Sequence, residues 1–140
     1  MREKLRNASA FFDTNVVAAY VFEESNRLEI AYKVIKSFAV RGISIVSIHE
    51  LYNIALRLGV ASRFSEAKRL IEKAFRVHPL SQEICLKAAE LRHSYKLPEV
   101  DALILATAIL NNYTKFYTFD DDFRPLHGTT IQNTEIYYLG

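Results

Sequence analysis

Apolar positions along the chain fall into two patterns, short runs typical of strands and longer stretches with helical spacing. The first run, at 9–12, is followed by Asp13 and then by a helical pattern from about Val16. Further strand-like runs lie at 43–47, 75–80, 115–119 and 130–136, with 137–139 as an alternative for the last. Helical patterns lie between them, at about 27–40, 47–58, 64–74, 81–95 and 98–110. Strands that alternate with helices predict an α/β fold with a mostly parallel sheet of about five strands and helices on both faces.

Two positions set the predicted boundaries around the second strand. Gly42 is predicted to end the preceding helix as a C-cap and to bound the strand at 43–47. Ser47 and Glu50 have the spacing of a capping box, which predicts that the next helix begins at Ser47.

Length and composition limit the class of protein. The 140 residues fit a single domain, 1–140, and their hydrophobic half is enough for a full core. With 18 Lys and Arg against 16 Asp and Glu, the net charge of +2 does not by itself indicate a nucleic-acid-binding protein. The single cysteine, Cys85, excludes an internal disulfide framework and a cysteine-rich zinc site, and favours the cytoplasm as the compartment.

Targeting signals are not predicted. The charged segment at 1–7 is not followed by a long apolar core, so it does not have the pattern of a signal peptide. The longest apolar run, at 102–110, is too short to cross a bilayer, and no membrane association is expected.

Carboxylates occur where predicted strands and helices meet. They are Asp13, Glu50, Asp101, and Asp120 with Asp122. Because the carboxyl ends of parallel strands meet at one edge of a sheet, these residues can converge in one crevice. Converging carboxylates repel one another unless a cation neutralises them, and oxygen ligands without His or Cys suit Mg²⁺ or Mn²⁺. Such an ion activates water for attack on a phosphodiester, so the pattern indicates metal-dependent hydrolysis of a phosphate ester.

Each acid also has a purely structural interpretation. Asp13 can cap the helix that follows it, and Glu50 can reach back to the Ser47 amide. Asp101 can favour the positive end of its helix, and the aspartates at 120–122 can form an ordinary turn. The sequence alone does not decide whether Glu50 coordinates a metal or only caps its helix.

Four motifs in order resemble the PIN-domain ribonucleases, and the chain is most similar to the VapC-type toxins of prokaryotic toxin–antitoxin pairs. The motifs are Phe12-Asp13-Thr14-Asn15, Ser47-Ile48-His49-Glu50-Leu51, Asp101-Ala102-Leu103-Ile104-Leu105-Ala106-Thr107-Ala108 and Thr118-Phe119-Asp120-Asp121-Asp122-Phe123. The likeness extends from Ala10 to the last strand. The tail departs from it, because the predicted last strand is polar at 130–133 rather than strongly apolar.

The resemblance implies a divalent-metal-dependent endoribonuclease with a three-layer α/β/α sandwich, a homodimer, and an antitoxin whose tail covers the crevice. It implies Mg²⁺ or Mn²⁺ as cofactor. The implied metal-binding and catalytic acids are Asp13, Glu50, Asp101 and Asp120. The implied supporting residues are Asn15 and Thr118, which would orient those acids and their waters, and Asp122 as an additional acid.

RNA would be held by basic side chains. The densest basic region comprises Arg57, Arg63, Lys68, Arg69, Lys73 and Arg76, and the first four are the candidates for binding the RNA backbone. The same residues are equally compatible with ordinary solvated helix charges.

Two other enzyme or signalling functions fit the sequence less well than a nuclease toxin does. A phosphatase that uses Asp13 as a covalent nucleophile would place a second Asp two residues later, where this chain has Asn15. A phosphoacceptor receiver would have a lysine after the fourth strand, which is absent here. A stand-alone RNA-processing nuclease and a non-catalytic scaffold of the same fold stay open as alternatives.

Overall fold

The structure is a computed structural model that describes residues 8–24 and 26–140; the charged segment at 1–7, predicted not to be a signal peptide, lies outside the described residues. The helices are α1 (Thr14–Val21), α2 (Leu28–Lys36), α3 (Ile45–Arg57), α4 (Phe64–Ala74), α5 (Gln82–Tyr95) and α6 (Glu99–Leu110). The strands are β1 (Ser9–Phe12), β2 (Val40–Ser44), β3 (Arg76–His78), β4 (Lys115–Thr118), β5 (Thr130–Ile131) and β6 (Thr134–Tyr138). Short 3₁₀ helices occupy Ala61–Arg63 and Asp121–Leu126.

These strands form one mixed sheet with the order β3-β2-β1-β4-β6-β5. Every neighbouring pair is parallel except β5 and β6, which form an antiparallel hairpin. The predicted mostly parallel sheet is confirmed, with six strands rather than about five. The carboxyl ends of β1, β2 and β4 therefore lie at one edge, with β1 in the middle.

Each face of the sheet carries its own core, as the alternation of side chains along β1 requires. Phe11 packs with Phe116 and Ile136 beneath α5 and α6. Phe12, on the opposite face, packs with apolar residues of α1, α2 and α4. The three-layer α/β/α arrangement is confirmed, and it places β1 in the centre of the molecule. No helix in the described residues is long and apolar enough to cross a membrane.

The second strand begins and ends three residues earlier than predicted, so the capping-box prediction was wrong. Ser44, not Ser47, is the N-cap of α3, and its hydroxyl oxygen accepts a 3.1 Å hydrogen bond from the amide of Val46. The β-branched pair Ile45 and Val46 has the composition of a strand, but both residues lie in the first turn of the helix. Ser47 is thus a buried residue inside α3.

Gly42 lies within β2 and is not the C-cap of α2, which ends at Lys36. Gly42 is needed there for a different reason. The ring of Tyr113 lies across it, and a Cβ at this position would overlap that ring and approach Phe11. The predicted last strand at 130–136 is also divided, because a turn at Gln132, with φ of 54°, separates β5 from β6.

Candidate metal centre

Three aspartates meet at the carboxyl edge of the sheet. Asp13, Asp101 and Asp120 each present a carboxylate oxygen within 4.8 Å of the others. They line a crevice of about 630 Å³, with side chains of α1 and α3 forming the rest of its wall. Residues far apart in sequence are brought together because β1 and β4 are neighbours and α6 begins close to their ends.

Both carboxylate oxygens of Asp13 accept hydrogen bonds. It directly follows β1 and is the N-cap of α1, where its Oδ1 accepts a 2.8 Å hydrogen bond from the amide of Thr14. Its Oδ2 accepts a 2.7 Å hydrogen bond from the hydroxyl of Thr118. The capping interpretation of Asp13 is therefore correct, and it is compatible with a second role because a carboxylate oxygen has more than one lone pair.

Asp120 is tied to the same threonine. Its amide donates a 2.9 Å hydrogen bond to Thr118 Oγ1, and its Oδ1 accepts a 2.9 Å bond from the amide of Asp122. Asp120 thereby caps the 3₁₀ helix that follows β4. Asp101 comes from the first turn of α6, directly before the buried part of this helix that begins at Ala102. The three carboxylates thus depend on three different elements of the fold.

The electrostatics of this cluster favour a bound cation. Burial, partly offset by the bond from Thr118, raises the pKa of Asp13 from its usual 3.8 to about 7. Burial, followed by the charges of Asp13 and Asp120, raises the pKa of Asp101 to about 8. The cluster therefore holds protons near neutral pH that a divalent cation can replace. Three convergent oxygen donors without His or Cys fit Mg²⁺ or Mn²⁺.

Glu50 lies in the crevice wall but outside the three-aspartate group. The hydroxyl of Thr14 donates to Glu50 Oε1, and Thr14 Oγ1 lies 2.8 Å from the hydroxyl oxygen of Ser47. Since the single proton of Thr14 goes to Glu50, Ser47 is the donor in its contact with Thr14. The chain of bonds from Ser47 through Thr14 fixes the carboxylate of Glu50.

The three residues predicted to support the acids differ in their burial and in their contacts. Asn15 lines the crevice, and its Oδ1 accepts a 3.0 Å bond from the amide of Phe119, the residue before Asp120. Thr118 is fully buried between Asp13 and Asp120. Asp122 is exposed beside Asp120, whose charge raises the pKa of the Asp122 carboxyl.

The predicted RNA-binding residues are spread over the surface. Arg57, the last residue of α3, lines the crevice. Arg63 pairs with Glu66 at 3.6 Å, and Lys68 of α4 pairs with Glu72 at 3.8 Å. Arg69 is exposed on α4. Of the four, only Arg57 is among the residues that line the crevice, and the role of all four stays a prediction.

Thr14 had no predicted role and Ser47 was predicted only as a helix cap, although both belong to the quoted motifs. Their contact joins the start of α1 to the interior of α3, across 33 positions in sequence. A contact of this kind depends on where α3 begins, and the sequence placed that boundary three residues too late. Asn53, which also lines the crevice, carried no recognisable signal.

The chain is similar to known proteins in both sequence and fold. Its sequence matches the PIN domain over residues 10–127. A search of curated proteins finds no match. Among solved structures, a toxin–antitoxin complex from Klebsiella pneumoniae is 27% identical, covers 90% of this chain and 95% of its own, and superposes with a TM-score of 0.69.

Two more distant structures share the fold. VapC20 of Mycobacterium tuberculosis, a toxin that cleaves the sarcin–ricin loop, is 22% identical over 89% of this chain and 98% of its own, with a TM-score of 0.70. VapBC2 of Rickettsia felis, bound to a DNA fragment from its promoter, is 16% identical over 92% of this chain and 97% of its own, with a TM-score of 0.68. The sequence match spans most of the chain and coincides with the region that contains all four acids. The protein belongs to the PIN-domain family.

Proposed function

We propose that this protein is a divalent-metal-dependent endoribonuclease and the toxin of a type II toxin–antitoxin pair. The convergence of Asp13, Asp101 and Asp120 within 4.8 Å is the observation that carries the proposal. Membership of the PIN-domain family supports a nuclease, and the similar structures from toxin–antitoxin systems support the toxin role. Its substrate would be RNA in the cytoplasm.

The three aspartates would hold the metal, and Mg²⁺ or Mn²⁺ fits their oxygen donors. When bound, such an ion makes water more acidic and stabilises the charge that develops on a phosphodiester during displacement. Thr118 keeps one oxygen of Asp13 oriented and leaves the other lone pairs available. Asn15 holds the backbone at Phe119 and so fixes the position of Asp120.

Glu50 would act on the attacking water. It is the acid of the crevice that stands apart from the aspartates, and Thr14 fixes one of its oxygens. A carboxylate in that position can accept a hydrogen bond from water and orient it toward the phosphate. This assigns coordination to the aspartates and orientation of the nucleophile to Glu50.

An antitoxin would bind an apolar groove beside the crevice. Leu56 lines the crevice, while Leu58, 60% exposed, lines a groove together with Val21, Phe64 and Leu70. Because Leu58 of the groove directly follows Arg57 of the crevice wall, a segment seated in the groove could extend over the acids. Co-purification with the product of an adjacent small reading frame, lost in Leu58→Asp, would test this assignment.

A homodimer is a further part of the proposal, and light scattering of the purified toxin would test it.

Cleavage of RNA by the purified protein tests the enzymatic proposal. A mixed RNA pool would be incubated with wild type, Asp13→Asn and Asp101→Asn in Mg²⁺, Mn²⁺ or EDTA. Glu90→Gln is the matched control, since it removes an exposed carboxylate of α5. The proposal expects cleavage by wild type and Glu90→Gln in metal, and only background in EDTA and in both aspartate variants. Equal activity of all four proteins would contradict it.

A further inference from the structure

Arg27 lies over the aromatic ring of the residue that precedes Asp120 in the chain. Its guanidinium carbon is 4.7 Å from the centre of the Phe119 ring. Arg27 immediately precedes α2, and Phe119 is buried just after β4. Contact with the face of a ring restricts the guanidinium group and leaves the N–H donors at its edges free to bind an acceptor.

Phe119 connects this arginine to the metal centre. Its amide donates to Asn15 Oδ1, and Asn15 lines the crevice. Asp120 is the next residue in the chain and supplies one of the three clustered carboxylates. The ring that supports Arg27 therefore belongs to the residue directly before Asp120, on the β4 side of the acidic cluster.

The guanidinium N–H donors of Arg27 have no acceptor within residues 8–24 and 26–140. In that part of the chain no carboxylate oxygen lies within 4.0 Å of its guanidinium nitrogens, and no side-chain hydrogen bond is formed by it. Arg124 differs, because its Nη2 pairs with Asp121 at 3.2 Å and also donates to the hydroxyl of Tyr138. Arg27 thus combines a fixed position with unused hydrogen-bonding capacity, and Arg124 does not.

Arg57 occupies the other side of the crevice. It ends α3, the helix that follows β2, whereas Phe119 follows β4. In the sheet, β2 and β4 lie on opposite sides of β1, which carries Asp13 at its end. Arg57 also forms no ion pair with any carboxylate of the described residues. The three aspartates thus have one arginine near them on the β4 side and another in the α3 wall, and neither is in an ion pair within the described residues.

We infer that Arg27 and Arg57 bind phosphates of a single-stranded RNA on the two sides of the acidic cluster. This inference rests on the proposed function and adds its substrate-positioning residues. A planar guanidinium can bind a phosphate through two parallel hydrogen bonds, which fixes the strand as well as attracting it. Two such contacts would hold the backbone across a centre whose carboxylates would otherwise repel it.

RNA binding measured without cleavage tests the inference. Fluorescence anisotropy of a labelled single-stranded RNA oligonucleotide of mixed sequence would be followed with EDTA present, at several salt concentrations between about 50 and 200 mM. Arg27→Gln and Arg57→Gln are each expected to weaken binding about tenfold at the lowest salt. Each should also reduce the slope of log K against log salt by about 0.7, the value for one phosphate contact on a single strand.

Two control variants separate a specific contact from a general charge effect. Lys33→Gln removes one positive charge from the exposed face of α2, outside the crevice-lining residues, and should change affinity by less than about twofold. Arg27→Lys keeps the charge but loses the planar group, so its affinity should lie between wild type and Arg27→Gln. Thermal unfolding of each variant would establish that it is folded.

The outcomes are distinguishable from failure of the nuclease proposal, since binding is read without catalysis. Equal losses in Arg27→Gln and Lys33→Gln would overturn the inference, as would unchanged salt slopes. Wild-type affinity for RNA in Arg27→Gln, combined with weakened capture of an acidic antitoxin, would overturn it in favour of a protein ligand. An RNA affinity that depends on Arg27 and Arg57 would support it even if no cleavage were observed.

Discussion

The hydroxyl of Thr118 donates a 2.7 Å hydrogen bond to Oδ2 of Asp13, which joins the ends of the two central strands. Oγ1 of Thr118 also accepts a 2.9 Å hydrogen bond from the amide of Asp120. One buried hydroxyl thus fixes two of the three clustered acids. Its position at the end of β4 is enforced by the register that pairs Phe12 with Tyr117.

Thr118→Val keeps the shape of this residue and removes both hydrogen bonds. We expect cleavage to fall by about 10- to 100-fold, as for other residues that orient metal ligands. The free energy of unfolding should fall by about 1–3 kcal/mol, because a buried carboxylate oxygen and a buried amide lose their partner. Cleavage kinetics and chemical denaturation would measure the two effects. Thr118→Ser, which keeps the hydroxyl, should retain most of the activity, and similar losses in both variants would contradict this account.

Stability without metal should depend on pH through the acidic cluster. Because the pKa values of Asp13 and Asp101 are raised to about 7 and about 8, the folded state holds protons that the unfolded state releases above about pH 4. Their contribution to stability is fully present below pH 4 and is lost as the pH rises to about 8. Denaturation in EDTA should therefore show stability falling between pH 5 and pH 8 by at least about 2 kcal/mol, the part due to Asp13 alone, with a further loss from Asp101.

The variant Asp13→Asn isolates the contribution of the Asp13 carboxyl to the pH dependence of stability. In EDTA at pH 8 we expect this variant to be more stable than wild type by on the order of 2 kcal/mol, since it removes a buried charge. The gain should shrink as the pH falls and vanish below about pH 4, where Asp13 is protonated in both the folded and the unfolded protein. Glu90→Gln, on the exposed side of α5, should show no such pH-dependent gain, and an Asp13→Asn protein that is less stable than wild type at pH 8 would contradict the assignment.

Much of this organisation could be predicted from the sequence. The order of strands and helices, and with it the meeting of Asp13, Asp101 and Asp120 at one edge, followed from hydrophobic periodicity and from acids placed at strand ends. The boundary at Ser44 could not be predicted, because Ile45 and Val46 have strand-like side chains and Gly42 resembles a helix terminator. The contact of Arg27 with Phe119 is purely tertiary, so no local pattern indicates it.

Metal binding should stabilise the folded protein. At a Mg²⁺ or Mn²⁺ concentration about 100-fold above Kd, the free energy of unfolding should rise by about 2.7 kcal/mol, and the pH dependence described above should diminish. Thermal unfolding with MgCl₂, against NaCl of equal ionic strength, would measure the effect. Asp101→Asn should lose most of the response, and an equal response in this variant would argue against the cluster as the binding site.

Gly42→Ala tests the packing that supports the centre of the sheet. The added Cβ would overlap the ring of Tyr113, which also packs edge-on against Phe11 and whose hydroxyl lies 2.7 Å from Nε2 of His78. We expect a loss of about 1–3 kcal/mol in the free energy of unfolding, as for other overpacked cores. A chemical denaturation curve coincident with that of wild type would show that the ring is free to move away.

The most direct test of the central claim is the position of a metal ion in a crystal of the protein soaked in Mn²⁺. The account predicts an anomalous difference peak between Asp13, Asp101 and Asp120, with carboxylate oxygens about 2.2 Å from the ion. It also predicts that the peak disappears in Asp101→Asn crystals. A protein that cleaves RNA in Mn²⁺ and yet binds the ion elsewhere, with no peak among these three aspartates, would contradict the account.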